Sequence, residues 1–97
     1  MIHETAIIGK NVKLGIEVEI GPFVYIDGDV TIGDNTKIHS SSMITGNTII
    51  GKNNIIFPFC SIGSIPQDLK YYGEDSYLMI GDSNVFREHC TVNSGTE

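Results

Sequence analysis

Aliphatic residues recur along this chain at an interval of six. Counting from Ile2, every sixth residue is Ile or Leu: Ile2, Ile8, Leu14, Ile20, Ile26, Ile32, Ile38, Ile44, Ile50, Ile56 and Ile62. Ile, Leu and Val make up about a quarter of the chain, so eleven hits in succession would arise by chance on the order of once in a million or less. The phase returns at Ile80, Phe86 and Val92.

Two further columns keep the same period. Gly follows the aliphatic at positions 9, 15, 21, 33, 51, 63 and 81. Four positions after the aliphatic stands a small or β-branched residue: Ala6, Val12, Val18, Val24, Val30, Thr36, Ser42, Thr48, Cys60 and Cys90. Six matches neither the 3.6 period of a helix nor the period of two of a simple strand. It predicts a coil of flat six-residue faces, each with one inward aliphatic and one smaller residue in a tighter spot. Gly and Asn then meet the turns, where positive φ is often required. The expected fold is all-β, a parallel β-helix of hexapeptide repeats. Three faces make an 18-residue coil and the 97 residues hold roughly five coils, stabilised by stacking of neighbours. Pro22-Phe23 and Pro58-Phe59 lie 36 residues apart, which places them in one column at a corner where the ladder is broken.

The pattern fails between Gly63 and Met79, where Asp68 and Glu74 fall on aliphatic positions. Unpaired carboxylates buried there would cost several kcal/mol. A protruding loop is therefore expected at about 64–79, with Ile65-Pro66 biased to extended backbone at its exit. Gln67, Asp68, Lys70 and the nearby tyrosines give this loop the composition of a binding segment; a solvated insertion without a role is the competing reading.

Composition narrows the classes. Twelve acidic against six basic residues leave a net charge of −6, which argues against a nucleic-acid surface. No apolar run approaches the roughly 18 residues of a membrane span. No basic-then-apolar segment opens the chain, so the default location is cytoplasmic. The cysteines do not make a disulfide framework. Cys60 and Cys90 are 30 residues apart, not a multiple of 18, and are expected on different faces as buried small hydrophobes. Of the three histidines, His3 reads as an end or surface residue, His39 as outward-pointing, and His89 as the best placed for chemistry, near the loop's re-entry.

The interrupted stretch also resembles a known family. Ser61-Ile62-Gly63, Gln67-Asp68-Leu69-Lys70-Tyr71, Gly73-Glu74, Ile80-Gly81-Asp82, Arg87-Glu88, Thr91 and Gly95-Thr96 resemble the N-terminal part of the UDP-N-acetylglucosamine O-acyltransferases of lipid A biosynthesis. The opening Ile2-His3-Glu4-Thr5-Ala6-Ile7 and Gly21-Pro22-Phe23 are similar to that family too. The resemblance implies a left-handed β-helix, whereas general crossover rules favour the right hand. It implies a homotrimer with sites between subunits. It also implies transfer of a β-hydroxyacyl group from acyl carrier protein to the 3-hydroxyl of UDP-N-acetylglucosamine, with no cofactor. By this resemblance Asp68 contacts the sugar, and Gln67 and Lys70 partner the substrate's polar groups. Asn93 stands where the family usually has a sugar-contacting His; an amide still donates and accepts hydrogen bonds.

The family's general-base His lies beyond Glu97, as does its C-terminal helical region. The 97 residues are thus expected to be one domain, truncated before the catalytic coil and inactive alone. Three other readings stay open. One is transfer to a 3-amino sugar nucleotide, motivated by Asn93. Another is a zinc hexapeptide protein, which would need His3, His39 and His89 to converge. The last is a purely structural solenoid. Tyr71, Tyr72 and Tyr77 fit loop packing, trimer contact or substrate contact equally. Arg87 and Glu88 fit a mutual ion pair at a subunit interface as well as a site.

Overall fold

The structure, a computed structural model, describes residues 1–64 and 77–93. Its strands, in chain order, are β1 (Ile7–Ile8), β2 (Lys13–Leu14), β3 (Glu19–Ile20), β4 (Tyr25–Ile26), β5 (Asp29–Ile32) and β6 (Lys37–Ile38). They continue with β7 (Met43–Ile44), β8 (Asn47–Ile50), β9 (Ile55–Ile56), β10 (Ser61–Ser64), β11 (Tyr77–Ile80), β12 (Val85–Phe86) and β13 (Thr91–Asn93). Every third strand joins the same parallel sheet. Face one is β1-β4-β7-β10-β13, face two β2-β5-β8-β11, and face three β3-β6-β9-β12. The chain visits the three faces in turn, which is the parallel β-helix the period predicts.

Register follows the 18-residue coil. Ile8 pairs with Ile26, Ile26 with Ile44, and Ile44 with Ile62. The aliphatic of each face points inward. Ile26, Ile44, Ile56 and Ile62 are fully buried, and the small-residue column (Val18, Val24, Val30, Thr36, Ser42, Thr48, Cys60) is buried beside them. Stacked, these two columns form one continuous core, because each coil covers the apolar interior of the next.

From β8 to β11 the partner spacing rises to 30, with Ile50 against Ile80. The same offset joins Ile56 to Phe86 and Ile62 to Val92. Twelve residues intervene beyond the coil repeat. Ser64 belongs to β10, and Tyr77–Met79 belong to β11 in full register with β8, so the strands reach further into the interrupted interval than the periodicity predicts. The segment between them lies outside the described residues.

That offset overturns the expectation for the cysteines. Ser61 pairs with Thr91, and the Ser61 N–H donates to the Cys90 carbonyl at 2.9 Å. Cys60 and Cys90 therefore stack on the same column of adjacent coils. An insertion of 12 turns a separation of 30 into one coil.

Glycine also acts differently from the expectation. Positive φ falls on non-glycine corner residues: Glu17, Asn35, Asn53 and Ser83 at one corner, and Phe23, Ser41, Phe59 and His89 at another. The glycine after the aliphatic serves coil-to-coil approach instead. At Gly33 a Cβ would stand 2.6 Å from the Gly51 carbonyl carbon. Among the described residues, glycine takes a positive φ at Gly28 and Gly46, on the corner between faces one and two, and at Gly63, in β10 just before that corner. The prolines do share a column, between faces three and one. The Pro22 carbonyl accepts from Ser41 N–H and the Pro58 carbonyl from His89 N–H.

Polar members of the small column bracket neighbouring coils. Thr36 Oγ1 donates to the Gly51 carbonyl at 2.9 Å and accepts the Asn54 N–H at 3.3 Å. Ser42 Oγ donates to the Phe57 carbonyl at 2.9 Å and accepts the Cys60 N–H at 3.1 Å. Asn54, which the sequence pattern passed over, is fully buried in this column. Its Nδ2 donates to the Gly81 carbonyl at 2.9 Å, and its Oδ1 accepts the Asn84 N–H at 2.7 Å. Each bracket satisfies a corner carbonyl and an N–H that the short strands leave unpaired. No buried side-chain polar atom lacks a partner among the described residues.

Candidate functional site

The corner between faces one and two carries the features that point to a site. The chain leaves face one at Ser64 and re-enters on face two at Tyr77. Gly63 makes the departure possible: its φ is +86°, and a Cβ there would meet the Thr45 carbonyl and the Thr48 hydroxyl of the coil beneath. Asn93 pairs with Ser64 across a register shift, so it stands against the root of the inserted segment, and its side chain is exposed. Gln67, Asp68 and Lys70 lie outside the described residues.

On the other flank of this corner, face two carries an open groove of about 370 Å³ beside the returning strand. Ile49, Met79 and Tyr77 supply its apolar wall, and Lys13, Asp29 and Asn47 line it with polar atoms. An apolar wall with a few polar groups suits a ligand that has both a hydrocarbon and a polar part. The periodicity gave no notice of this groove, but the sequence held a signal. Along face two the residue before each inward aliphatic points outward and is polar at Lys13 and Thr31, yet apolar at Ile49 and Met79. Both are substantially exposed.

The histidines sit elsewhere. His3 is exposed at the first coil, with its Nδ1 2.8 Å from the Thr5 hydroxyl. His39 is exposed and tilts against Phe57, with ring centroids 5.5 Å apart. His89 is not at the loop's re-entry. It lies on the corner between faces three and one, stacked on Phe59 at 5.4 Å with an interplanar angle of 8°. The loop re-enters on face two at β11 and the chain then runs through β12 on face three before it reaches His89, so nearness in sequence did not become nearness in space. Beside it the Arg87 guanidinium lies 4.6 Å from the Phe57 ring centroid and pairs with Glu88 at 3.3 Å, both side chains well exposed. Glu88's own backbone N–H, then Arg87, hold its carboxyl below the usual range. His3 and His39 line one shallow groove near the first coil, His39 two coils and His3 four coils away from His89. Among the described residues no three His, Cys, Asp or Glu side chains gather as a metal site.

Comparison with known proteins bears on what this scaffold is. Residues 5–46 match the bacterial transferase hexapeptide (six repeats) model. That match covers 42 of the 97 residues. The chain is 46% identical over 96 residues to the acyl-[acyl-carrier-protein]–UDP-N-acetylglucosamine O-acyltransferase of Rickettsia canadensis, covering 99% of this chain and 36% of that protein. Among solved structures, a UDP-N-acetylglucosamine acyltransferase from Bacteroides fragilis superimposes with a TM-score of 0.96 at 52% identity, over 99% of this chain and 38% of that one. The Francisella novicida UDP-N-acetylglucosamine acyltransferase gives 0.95 at 43% identity, over 99% of this chain and 35% of that one. The shared architecture is the left-handed parallel β-helix, as the resemblance implied. This hexapeptide-repeat chain spans a little over a third of the length of the relatives it matches.

Of the four residues expected to bind substrate, this structure therefore positions Asn93 alone, at the root of the insertion. The groove residues Ile49, Met79, Lys13 and Asp29 join it as residues that repeat counting did not single out.

Proposed function

We propose that this chain is the front part of an acyltransferase that moves a β-hydroxyacyl group from acyl carrier protein to the 3-hydroxyl of UDP-N-acetylglucosamine, the first step of lipid A biosynthesis. The carrying observation is the 46% identity over 96 residues to a protein named for transfer from acyl carrier protein to this sugar nucleotide. The register supports it by setting Asn93 against Ser64, beside the segment that bears Gln67, Asp68 and Lys70. In this reading Asp68 accepts hydrogen bonds from the sugar, Gln67 and Lys70 hold its polar substituents, and Asn93 contributes an amide that donates and accepts.

Attack of the sugar hydroxyl on a thioester needs a base on the hydroxyl and donors for the oxyanion. Neither falls to the described histidines, whose rings are engaged with Thr5, Phe57 and Phe59 on other parts of the prism. The base is assigned to residues outside this chain. No helix of the described residues is long and apolar enough to cross a membrane, and the proposed location is the cytoplasm, where acyl carrier protein would be met. The proposed assembly is a homotrimer. Outward apolar columns support it: Ile7, Tyr25 and Met43 on face one, and Ile49, Met79 and Tyr77 on face two. Exposed apolar surface of this kind marks protein contacts.

The test is transfer of a radiolabelled β-hydroxyacyl group to UDP-N-acetylglucosamine by the full-length gene product. Transfer is expected with at least one acyl length, and no transfer across several lengths would overturn the proposal. Light scattering on the same protein is expected to return three times the chain mass. Asn93 favours one second reading, a 3-amino acceptor. A competition assay separates the two, since preference for the amino sugar would select that reading.

A further inference from the structure

We propose that Cys60 and Cys90 are a disulfide-forming pair, a modification site at which oxidation clasps the coil before the inserted segment to the coil after it. Three observations lead there. The first is register: with Ser61 paired to Thr91, the two cysteines occupy equivalent places on adjacent parallel coils. Parallel strands lie about 4.8 Å apart, inside the roughly 4.4–6.8 Å range of Cα separations that disulfides span.

The second is direction. Both side chains turn inward, Cys60 at 2% exposure and Cys90 packed against the same core. Cys60 Sγ donates to the Arg87 carbonyl at 3.0 Å and lies 3.8 Å from that of Phe86. The Cys90 N–H donates to the same Arg87 carbonyl at 3.2 Å. The Cys60 thiol thus leans into the turn that delivers Cys90, and both residues converge on one oxygen.

The third is that packing does not demand sulfur here. The lower members of this column are Ala6, Val24 and Ser42, and Ser42 makes the equivalent bracket with oxygen. Both thiols are free.

The oxidant is a low-molecular-weight disulfide. The Cys90 thiolate, the more exposed of the two, attacks it, forms a mixed disulfide and expels one small thiolate. Cys60 then gives up its proton and attacks the Cys90 sulfur, expelling the second. Two protein S–H bonds and one small disulfide become one protein disulfide and two small thiols, with electrons and protons balanced. Burial, with Cys90 and Glu88 adding, holds the Cys60 thiol above its ordinary range, which makes the second step the slow one. Directly stacked residues set their Cβ atoms further apart than the roughly 3.8 Å mean of a relaxed disulfide, so the bond forms under strain and is readily reduced.

The test uses the full-length gene product, incubated with oxidised glutathione, then alkylated and mapped by mass spectrometry. A chain lighter by about 2 Da is expected, with the Cys60 and Cys90 peptides linked and dithiothreitol restoring both thiols. Cys60→Ser and Cys90→Ser each abolish the link. Cys60→Ser remains folded by circular dichroism, since a hydroxyl makes the same bracket at Ser42. Folded wild-type protein with both cysteines still alkylated after oxidation overturns the proposal, as does a mixed disulfide on Cys90 that never resolves.

Discussion

The Asn54 side-chain oxygen accepts the backbone N–H of Asn84 at 2.7 Å, a bond between residues 30 apart that ties the coil below the insertion to the coil above it. The same amide donates to Gly81. Replacing Asn54 with Ala strands a carbonyl and an N–H at a part-buried corner, each costing about 1–3 kcal/mol. Asn54→Ala is therefore expected to lower unfolding stability by about 2–4 kcal/mol, read from urea denaturation. Asn54→Thr, which can rebuild the Thr36 type of bracket, should recover part of the loss.

The glycine column makes a second expectation, about backbone approach. Gly33→Ala forces a methyl against the Gly51 backbone and should cost about 1–3 kcal/mol by overpacking. Glu17 holds a φ of 61°, a left-handed conformation that costs an ordinary residue about 1–2 kcal/mol. Glu17→Gly removes that strain at a smaller entropic cost and should leave stability unchanged or raise it. A thermal shift of opposite sign for either variant would contradict these assignments.

Two ionisable groups carry opposite pH signatures. Glu88 has a folded pKa held below the ordinary 4.5, so its contribution is present above that value and is lost as pH falls through the folded pKa. Glu88→Gln should lessen the loss of stability between pH 5 and pH 3, though only slightly for so exposed a group. Cys60 has a folded pKa above the ordinary 9.0, so its contribution is present below 9.0 and is lost as pH rises through the folded pKa. Cys60→Ser should flatten the alkaline decline. Denaturation midpoints compared with wild type across pH check both signs.

At the candidate site, Asn93 is exposed and makes no demand on the core. Asn93→Ala in the full-length gene product should keep the wild-type melting temperature. Transfer is expected to fall about 10–100-fold in kcat/KM for the sugar nucleotide, the loss of one to two good hydrogen bonds. Asp68→Asn should act in the same direction. Unchanged kcat/KM in both variants would remove these residues from the binding role.

The core and the coil were legible in the residues because every hexapeptide repeats one environment. An inward Ile at position 26 or 44 reports the same burial wherever it sits in the stack. The site was legible only in part. Asn93 stood out by resemblance, whereas Ile49 and Met79 form a wall only when β8 and β11 pair.

What order along the chain settled by itself is therefore the period, the three-faced coil and the inward columns, since these depend on local alternation repeated many times. What only the tertiary structure decided is which residue lies over which beyond the insertion. Twelve is a multiple of six but not of 18, so re-entry on any face preserves the hydrophobic phase. The phase at Ile80 is therefore the same whether it follows Ile62 in its own column or moves on to face two beside Ile50, as it does. That choice puts Cys90 over Cys60, Asn84 over Asn54 and His89 over Phe59. It rests on the hydrogen bonds and packing of the assembled stack, which no local periodicity encodes.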